Sequence, residues 1–363
     1  METIQLYLDR LPRARKPDFD PETTIVIFDR KLMTAVPGFK PWVTAFPYRF
    51  PVRSGEGLKS FSSFQQTLTK IHKKVGDKAG PKWTVLAIGG GSVGDFAGFF
   101  ASVYKRGLRL VHMPTTWLAA IDSSHGGKTG LNFGGAKNQI GTFYPSEMTV
   151  MVKSILLSLP RKQVLDAFGE LIKIAVIDGG SWAKRLRLGR GTNGSRAVRS
   201  TALLLWKALP FAVEAKMKTV RRDPKEKTGV RQVLNLGHTF GHVIESVTGR
   251  SHGESIWLGF LFAIEFSLAE GYLKMREAEL LNDWLKLQSE PLKSIKKSQI
   301  KIKTAEARKR LLQDKKRTSG SGRKQKNNDE VRFVFVRGLG KTVVEPVSVE
   351  KILKVARQNG WLK

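Results

Sequence analysis

Over residues 1–152 the chain alternates short, β-branched apolar runs with stretches of helical periodicity. Thr24-Ile-Val-Ile-Phe28 and Thr84-Val-Leu-Ala-Ile88 predict strands, each followed by turn or loop chemistry. Leu108-Arg-Leu-Val-His-Met113 predicts another, stopped by Pro114. Ser60 to Val75 has the spacing of an amphipathic helix, and Phe96 to Tyr104 is a second helical stretch. Strands separated by helices imply a parallel α/β sheet. From about Lys153 the texture changes to long helical patterns (164–177, 201–221, 238–247 and 255–270), followed by a late strand, Val331–Val336. The pattern predicts an α/β domain over 1–152 and a mostly helical domain over 153–363.

The length of 363 residues agrees with two domains, and a hydrophobic fraction of 41% describes an ordinary globular chain. The longest apolar stretch, Ile256–Ile264, is too short to span a bilayer, and the N-terminus has no apolar signal region. With no cysteine, any metal must sit on histidine and carboxylate ligands. The net charge of +32 makes nucleic acid the first partner to weigh, although small phosphorylated or carboxylated substrates would be steered by the same field. Segment 293–326 concentrates fourteen Lys/Arg against two acids and reads as a helical stretch running into a flexible basic loop. No aromatic side chains are interleaved there to stack bases, so a solvated surface insertion is preferred over a nucleic-acid interface.

Gly89-Gly-Gly-Ser-Val-Gly-Asp95 lies between a strand and a helical stretch. Glycines let backbone approach an anion closely, and the helix N-terminus offers unpaired N–H groups. A dinucleotide fingerprint expects an acid about 20 residues further on, and none occurs between Asp95 and Asp122. Asp29, directly after the first strand, is the alternative ribose acid.

Three of the six histidines fall between residues 238 and 252. The i,i+4 spacing of His238 and His242 puts both on one helix face and nominates both as ligands, with His252 folding back from a loop. The carboxylate stays open among Glu254, Glu245 and Glu170. Glu170 and Lys173 share one face of an otherwise apolar helix, which suggests a site. Asp122 to Asn132, with Lys137 and Asn138, is Gly-rich and polar and reads as a loop whose lysines, converging with Arg106, would hold phosphate and carboxylate groups.

Together these strings resemble the 3-dehydroquinate synthase family of sugar phosphate cyclases. The resemblance rests on Gly89–Asp95, Tyr104-Lys-Arg-Gly107, Pro114-Thr-Thr116, Asp122-Ser-Ser-His-Gly-Gly-Lys-Thr-Gly130, Lys137-Asn138, Gly169-Glu-Leu-Ile-Lys173, Asn235-Leu-Gly-His-Thr-Phe-Gly-His242 and His252-Gly-Glu254, in family order over about residues 25–340. It implies a Rossmann-like N-terminal domain binding NAD and a helical C-terminal domain binding Zn2+ or Co2+. It assigns the metal to Glu170, His238 and His252, and makes His242 a proton-relaying residue instead of a ligand. Lys128, Lys173, Asp122 and Asn138 match catalytic positions. Arg106, Lys137, Lys216, Arg231 and Asn235 match substrate contacts, and a further family lysine falls at Lys316 or its neighbour Lys315. For the cofactor, Asp29, Glu56, Lys59, Gly90, Gly91, Ser92, Val93, Asp95, Thr115, Thr116, Lys128, Lys137 and Ser158 match.

The implied reaction converts a sugar phosphate, DAHP, to 3-dehydroquinate in a cytoplasmic homodimer. The chain departs from the family pattern at Gln163, where an acid is usual, and at Ala167, where a glycine is usual. The rivals are another sugar phosphate cyclase, an NAD(P)- and metal-dependent alcohol or polyol dehydrogenase, and a nucleic-acid-binding protein built on an inactive scaffold.

Overall fold

The structure is a computed structural model that describes residues 3–13, 19–186, 195–288, 297, 300, 302–318 and 329–363. It divides into two compact units, Met1–Gln163 and Val164–Lys363. The change in sequence texture at 152/153 coincides with the end of a strand, whereas the units separate later, inside helix Arg161–Asp178.

The first unit contains strands β1 (Ile4–Leu8), β2 (Thr24–Asp29), β3 (Arg49–Val52), β4 (Thr84–Gly89), β5 (Arg109–Pro114), β6 (Lys128–Phe133), β7 (Ala136–Phe143) and β8 (Met148–Val152). Six of them form a parallel sheet in the order β1-β8-β5-β4-β2-β3. Strands β2 and β4 read as unbroken apolar runs because both sheet faces are covered. Ile25, Ile27, Val85 and Ala87 pack with Phe64, Phe96 and Phe100, while Val26, Phe28, Leu86 and Ile88 pack with Phe39, Val43 and Phe46. The outer strands β1 and β3 and the short β8 carried no comparable signal. Pro51 is tolerated in β3 because that strand is an edge.

Neighbours of β2 lie on opposite sides: β3 on one, β4 on the other. The connectivity therefore reverses between β2 and β4, and Asp29 and Gly89 end the two strands that flank this reversal. The polar stretch expected to be a loop is in part a hairpin, β6–β7. Its turn residues Gly134 and Gly135 have φ of 58° and 75°, the left-handed pair that a two-residue turn matching strand twist requires. The helix after β4 begins at Gly91 and not at Phe96, so the glycine loop is itself the first helical turn.

The second unit is built on helices Ser195–Arg222, His238–Thr248, His252–Ala269, Met275–Gln288, Thr304–Thr318 and Val349–Gln358, with the C-terminal part of Arg161–Asp178 and an antiparallel pair, β9 (Glu330–Gly338) and β10 (Lys341–Ser348). Segment 293–326 is helical over Thr304–Thr318, and of the expected basic loop 317–329 residues 319–328 lie outside the described residues. Helix His252–Ala269 is a core helix. Phe262 stacks on Phe240 at 4.1 Å, and Trp361 packs edge-on at 5.9 Å. No helix among the described residues is long and apolar enough to cross a membrane.

Close helix approach depends on glycine. A Cβ on Gly259 would lie 2.1 Å from the Gly237 carbonyl oxygen and 2.5 Å from the Gly241 nitrogen. A Cβ on Gly169 would lie 2.6 Å from the Gly253 carbonyl oxygen, and one on Gly253 would lie 2.0 Å from that of Asp166. Gly259→Ala must push backbone against backbone, so it should cost at least about 1–3 kcal/mol. Gly80→Ala, with open space around it, should leave the thermal midpoint unchanged. Equal midpoints for the two variants would show that the helices do not need this contact.

Candidate functional site

In the first unit the glycine loop caps the carboxyl end of β4. Gly89 has no room for a side chain: its Cβ would sit 2.6 Å from Val93 Cβ. Positions 90 and 91 are tight as well, facing Thr116 Cγ2 at 3.2 Å and Ser123 Oγ at 3.0 Å. Helix Gly91–Val103 has no side-chain cap, so its first N–H groups remain available to an anion. Ser92 Oγ accepts the Gly55 N–H at 3.0 Å, and the Thr115 N–H donates to the Gly89 carbonyl at 2.9 Å. These bonds tie the loops after β3 and β5 to the glycine turn. Asp29 accepts the Lys31 N–H at 3.1 Å, at the end of β2.

A polar network adjoins the turn. Buried Lys59 donates to Asp95 at 2.6 Å and also to Asn138 Oδ1. Asn132 donates to Glu56 at 2.8 Å and accepts the Asn138 N–H at 3.0 Å, while Lys137 lies 3.8 Å from Glu56. Asn138 is held at a φ of 56°. Thus Glu56, Lys59, Asp95, Lys137 and Asn138 are brought together, and Asn132, the last residue of the polar stretch 122–132, joins them. Burial pushes the Asp95 carboxyl up; Lys59 pulls against this, and Glu56 and Asp122 add to the rise.

Arg106 is exposed with a φ of 67°, and Lys128 is exposed at the start of β6. Thr116 Oγ1 accepts the Ala119 N–H at 3.2 Å, and the Ser158 hydroxyl is occupied by the Ile155 carbonyl at 2.7 Å. His112 is buried behind Gly94, and burial holds its imidazole down at about 4.

In the second unit, Glu170, His238 and His252 each offer one ligand atom within 4.8 Å of the others. Glu170 Oε1 lies 3.3 Å from His238 Nε2 and 3.6 Å from His252 Nε2. It is 1% exposed, and neither of its oxygens has a hydrogen-bond partner of good geometry. The other nitrogen of each ring faces an oxygen: His238 Nδ1 the Leu236 carbonyl at 3.2 Å, His252 Nδ1 the Glu245 carboxylate at 3.0 Å. A buried carboxylate whose Oε1 is faced by two Nε2 atoms, with both rings fixed from behind, fits a divalent cation.

Lys173 forms an ion pair with Glu170. Burial pushes the Glu170 carboxyl up, but Lys173 and then His238 outweigh it and hold it well below the usual carboxylate range. Burial, reinforced by Lys173, lowers His238 to about 4, so its imidazole is neutral near pH 7. Burial also pulls His252 down, yet Glu170 and Glu245 prevail and raise it to about 10.

The spacing-only expectation that His238 and His242 are ligands together is not met. Among the described residues no ligand group contains both; His242 instead groups with Glu245 and His252. Helical spacing put both rings on one face, but helix Arg161–Asp178 brings the Glu170 carboxylate to His238 and His252 and not into the group of His242. Glu254 lies 3.9 Å from Arg250 and joins neither group. Lys216 and Arg231 are buried, and Asn235 is half-buried just ahead of His238. Arg231 donates to the Pro224 carbonyl at 3.2 Å, in a turn whose N–H groups converge on Asp223. The side chains of Lys315 and Lys316 lie outside the described residues.

The profile described as 3-dehydroquinate synthase N-terminal matches residues 49–166, and that described as 3-dehydroquinate synthase C-terminal matches 167–317. A 3-dehydroquinate synthase of Leptospira interrogans is 34% identical over 314 residues, covering 85% of this chain and 81% of its own. A 2-deoxy-scyllo-inosose synthase, solved with carbaglucose-6-phosphate, NAD+ and Co2+, superposes with a TM-score of 0.77 at 23% identity over 98% of this chain and 96% of its own. An iron-containing alcohol dehydrogenase superposes with a TM-score of 0.57 at 16% identity over 99% and 97%.

The Lys59–Asp95 pair generates a stability prediction. Lys59→Met should cost about 3 kcal/mol at pH 7, the low end for unpairing a buried ion, because the Asp95 side chain is 24% exposed. Without Lys59 the Asp95 carboxyl moves further above its unfolded value of 3.8. An acid raised on folding loses stability as pH climbs through that window, so the deficit should shrink on acidification. Denaturation at pH 7 and pH 5 measures it, and a deficit that grows at pH 5 would refute the pairing.

Proposed function

The chain belongs to the 3-dehydroquinate synthase family, and from that premise we propose that it converts 3-deoxy-D-arabino-heptulosonate 7-phosphate (DAHP) to 3-dehydroquinate and inorganic phosphate, an NAD- and metal-dependent carbon–oxygen lyase reaction of the shikimate pathway. The observation that carries this reading is the convergence of Glu170, His238 and His252 on one point, with donor atoms suited to Zn2+ or Co2+. When bound, NAD would take a hydride from C5 and return it within the turnover while the cation polarises the C5 oxygen, chemistry that side chains do not supply.

The chain's own residues bind, orient and move protons. His242, a half-buried imidazole one turn from His238, is assigned the proton exchange with the C5 hydroxyl. In the second unit Lys173, Lys216, Arg231 and Asn235 are assigned to the substrate, with Arg231 and Asn235 on its carboxylate end. In the first unit Arg106, Asp122, Lys128, Lys137 and Asn138 are assigned to it as well, the cations holding phosphate. Holding both charged ends fixes one conformer through oxidation, loss of the C6 proton with phosphate, re-reduction and aldol closure. The C7–O bond breaks, a ring-closing C–C bond forms, and no net oxidation occurs.

For the nucleotide, the glycine turn with its uncapped helix would take the pyrophosphate and Asp29 the ribose, at the reversal of strand order. Glu56, Lys59, Asp95, Thr115 and Thr116 would complete that site. The same reading makes the chain a cytoplasmic homodimer and disfavours nucleic acid as a partner. Its rivals are a cyclase acting on another sugar phosphate and a dehydrogenase with net hydride transfer. The Gly-Gly-Lys128 and Lys137-Asn138 strings favour the synthase over the dehydrogenase, and Arg231 with Asn235 favours a substrate carrying a carboxylate over that of the other cyclase.

Phosphate release from DAHP should require both NAD and a divalent cation and should stop on chelation. Catalytic NAD should support many turnovers without accumulating NADH, and stoichiometric NADH would identify a dehydrogenase instead. His238→Ala should lose the metal, whereas His242→Ala should retain it and slow turnover by about 10²–10⁴-fold. Equal metal loss in both variants would overturn this division of roles.

A further inference from the structure

Helix His238–Thr248 presents His238, His242 and Glu245 at i, i+4 and i+7, a single stripe along one face. The helix ends at Gly249, whose φ of 66° turns the chain back and whose N–H donates to the Glu245 carbonyl at 3.0 Å. Three residues after Gly249, His252 begins the next helix, with Ser251 as its cap. Glu245 therefore closes one helix through its backbone and reaches the first residue of the next through its side chain, 3.0 Å from His252 Nδ1.

We infer that Glu245 is a positioning residue for the metal centre: it accepts the Nδ1–H of His252, fixes the tautomer that leaves Nε2 free for the cation, and sets the plane of the ring toward Glu170. The inference rests on the reading of Glu170, His238 and His252 as ligands. The two histidines are supported in different ways. His238 is oriented by a backbone carbonyl, Leu236 O at 3.2 Å, which no substitution removes. His252 is oriented by a carboxylate, which a substitution removes and whose negative charge makes the imidazole a stronger donor. The support of one ligand is therefore built into the fold, and that of the other is a single side chain. Glu245 also belongs to the second cluster, with His242 and His252, so its two conceivable roles, tether and direct ligand, make different predictions.

The test is competition between the full-length, metal-free protein and a chromogenic chelator for Co2+ and for Zn2+. Glu245→Ala should bind about 10–100-fold more weakly. Glu245→Gln should fall between it and the wild type, because its amide oxygen still accepts the Nδ1–H but carries no charge. The visible bands of bound Co2+ should shift in both variants, a change in the metal's own surroundings that a purely structural role would not produce. Should Glu245→Ala fail to fold, the glutamine variant alone decides. Affinity within twofold of wild type in the variants overturns the tether. Loss of metal from Glu245→Ala as complete as from His238→Ala, accompanied by loss from His242→Ala, also overturns it and makes Glu245 a ligand. Failure of the wild type to bind either ion, or retention by His238→Ala, would instead sink the ligand assignment on which the tether depends.

Discussion

The second unit depends on backbone meeting backbone. Each of the three candidate ligands has a glycine as its chain neighbour: Gly169 before Glu170, Gly237 before His238, and Gly253 after His252. A Cβ at Gly169 or Gly253 would enter the main chain of the other's helix, and one at Gly237 would lie 2.9 Å from the Phe260 nitrogen. The glycines beside these carboxylate and imidazole side chains let the helix backbones approach where any larger residue would collide. The metal geometry is thus a property of the helix packing, and the aromatic cluster of Phe240, Phe262 and Trp361 fills the far side of the same helices.

The first unit meets a different demand, the approach of an anion to main-chain N–H groups. The sheet supplies the position through its reversal between β2 and β4, and glycine supplies the clearance. The network of Glu56, Lys59, Asp95, Asn132 and Asn138 then ties segments distant in sequence to the first turn of helix Gly91–Val103. Polar groups linked in this way around the buried Lys59 favour one arrangement of the loops, since moving one member leaves another without its partner.

Central strands and long helices were legible because burial on both faces or on one stripe writes a period into the sequence. Strands β1 and β3 were not, since short edge strands need no such pattern, and hairpin β6–β7 was hidden by its glycines and by mostly exposed β7 residues. At the metal centre, spacing alone paired His238 with His242 and left three acids open. Periodicity reports which residues share a face but not which helix arrives opposite, and that choice was made by glycines far apart in the chain. The family resemblance named Glu170, His238 and His252, whose ligand atoms the fold gathers. Neither route gave the partners of Asn132 or the link from Glu245 to His252, because each depends on a contact across a turn or a hairpin.

Lys59 and Lys173 are both buried, and each lies against a carboxylate, Asp95 and Glu170. Their charge is cancelled within the fold, so these two contribute little to the far field of a chain carrying +32. Charge on water-facing side chains is attenuated over about 8 Å by ions at physiological strength. Ionic strength should therefore govern how fast anionic molecules arrive at this protein far more than how firmly these paired interiors hold together.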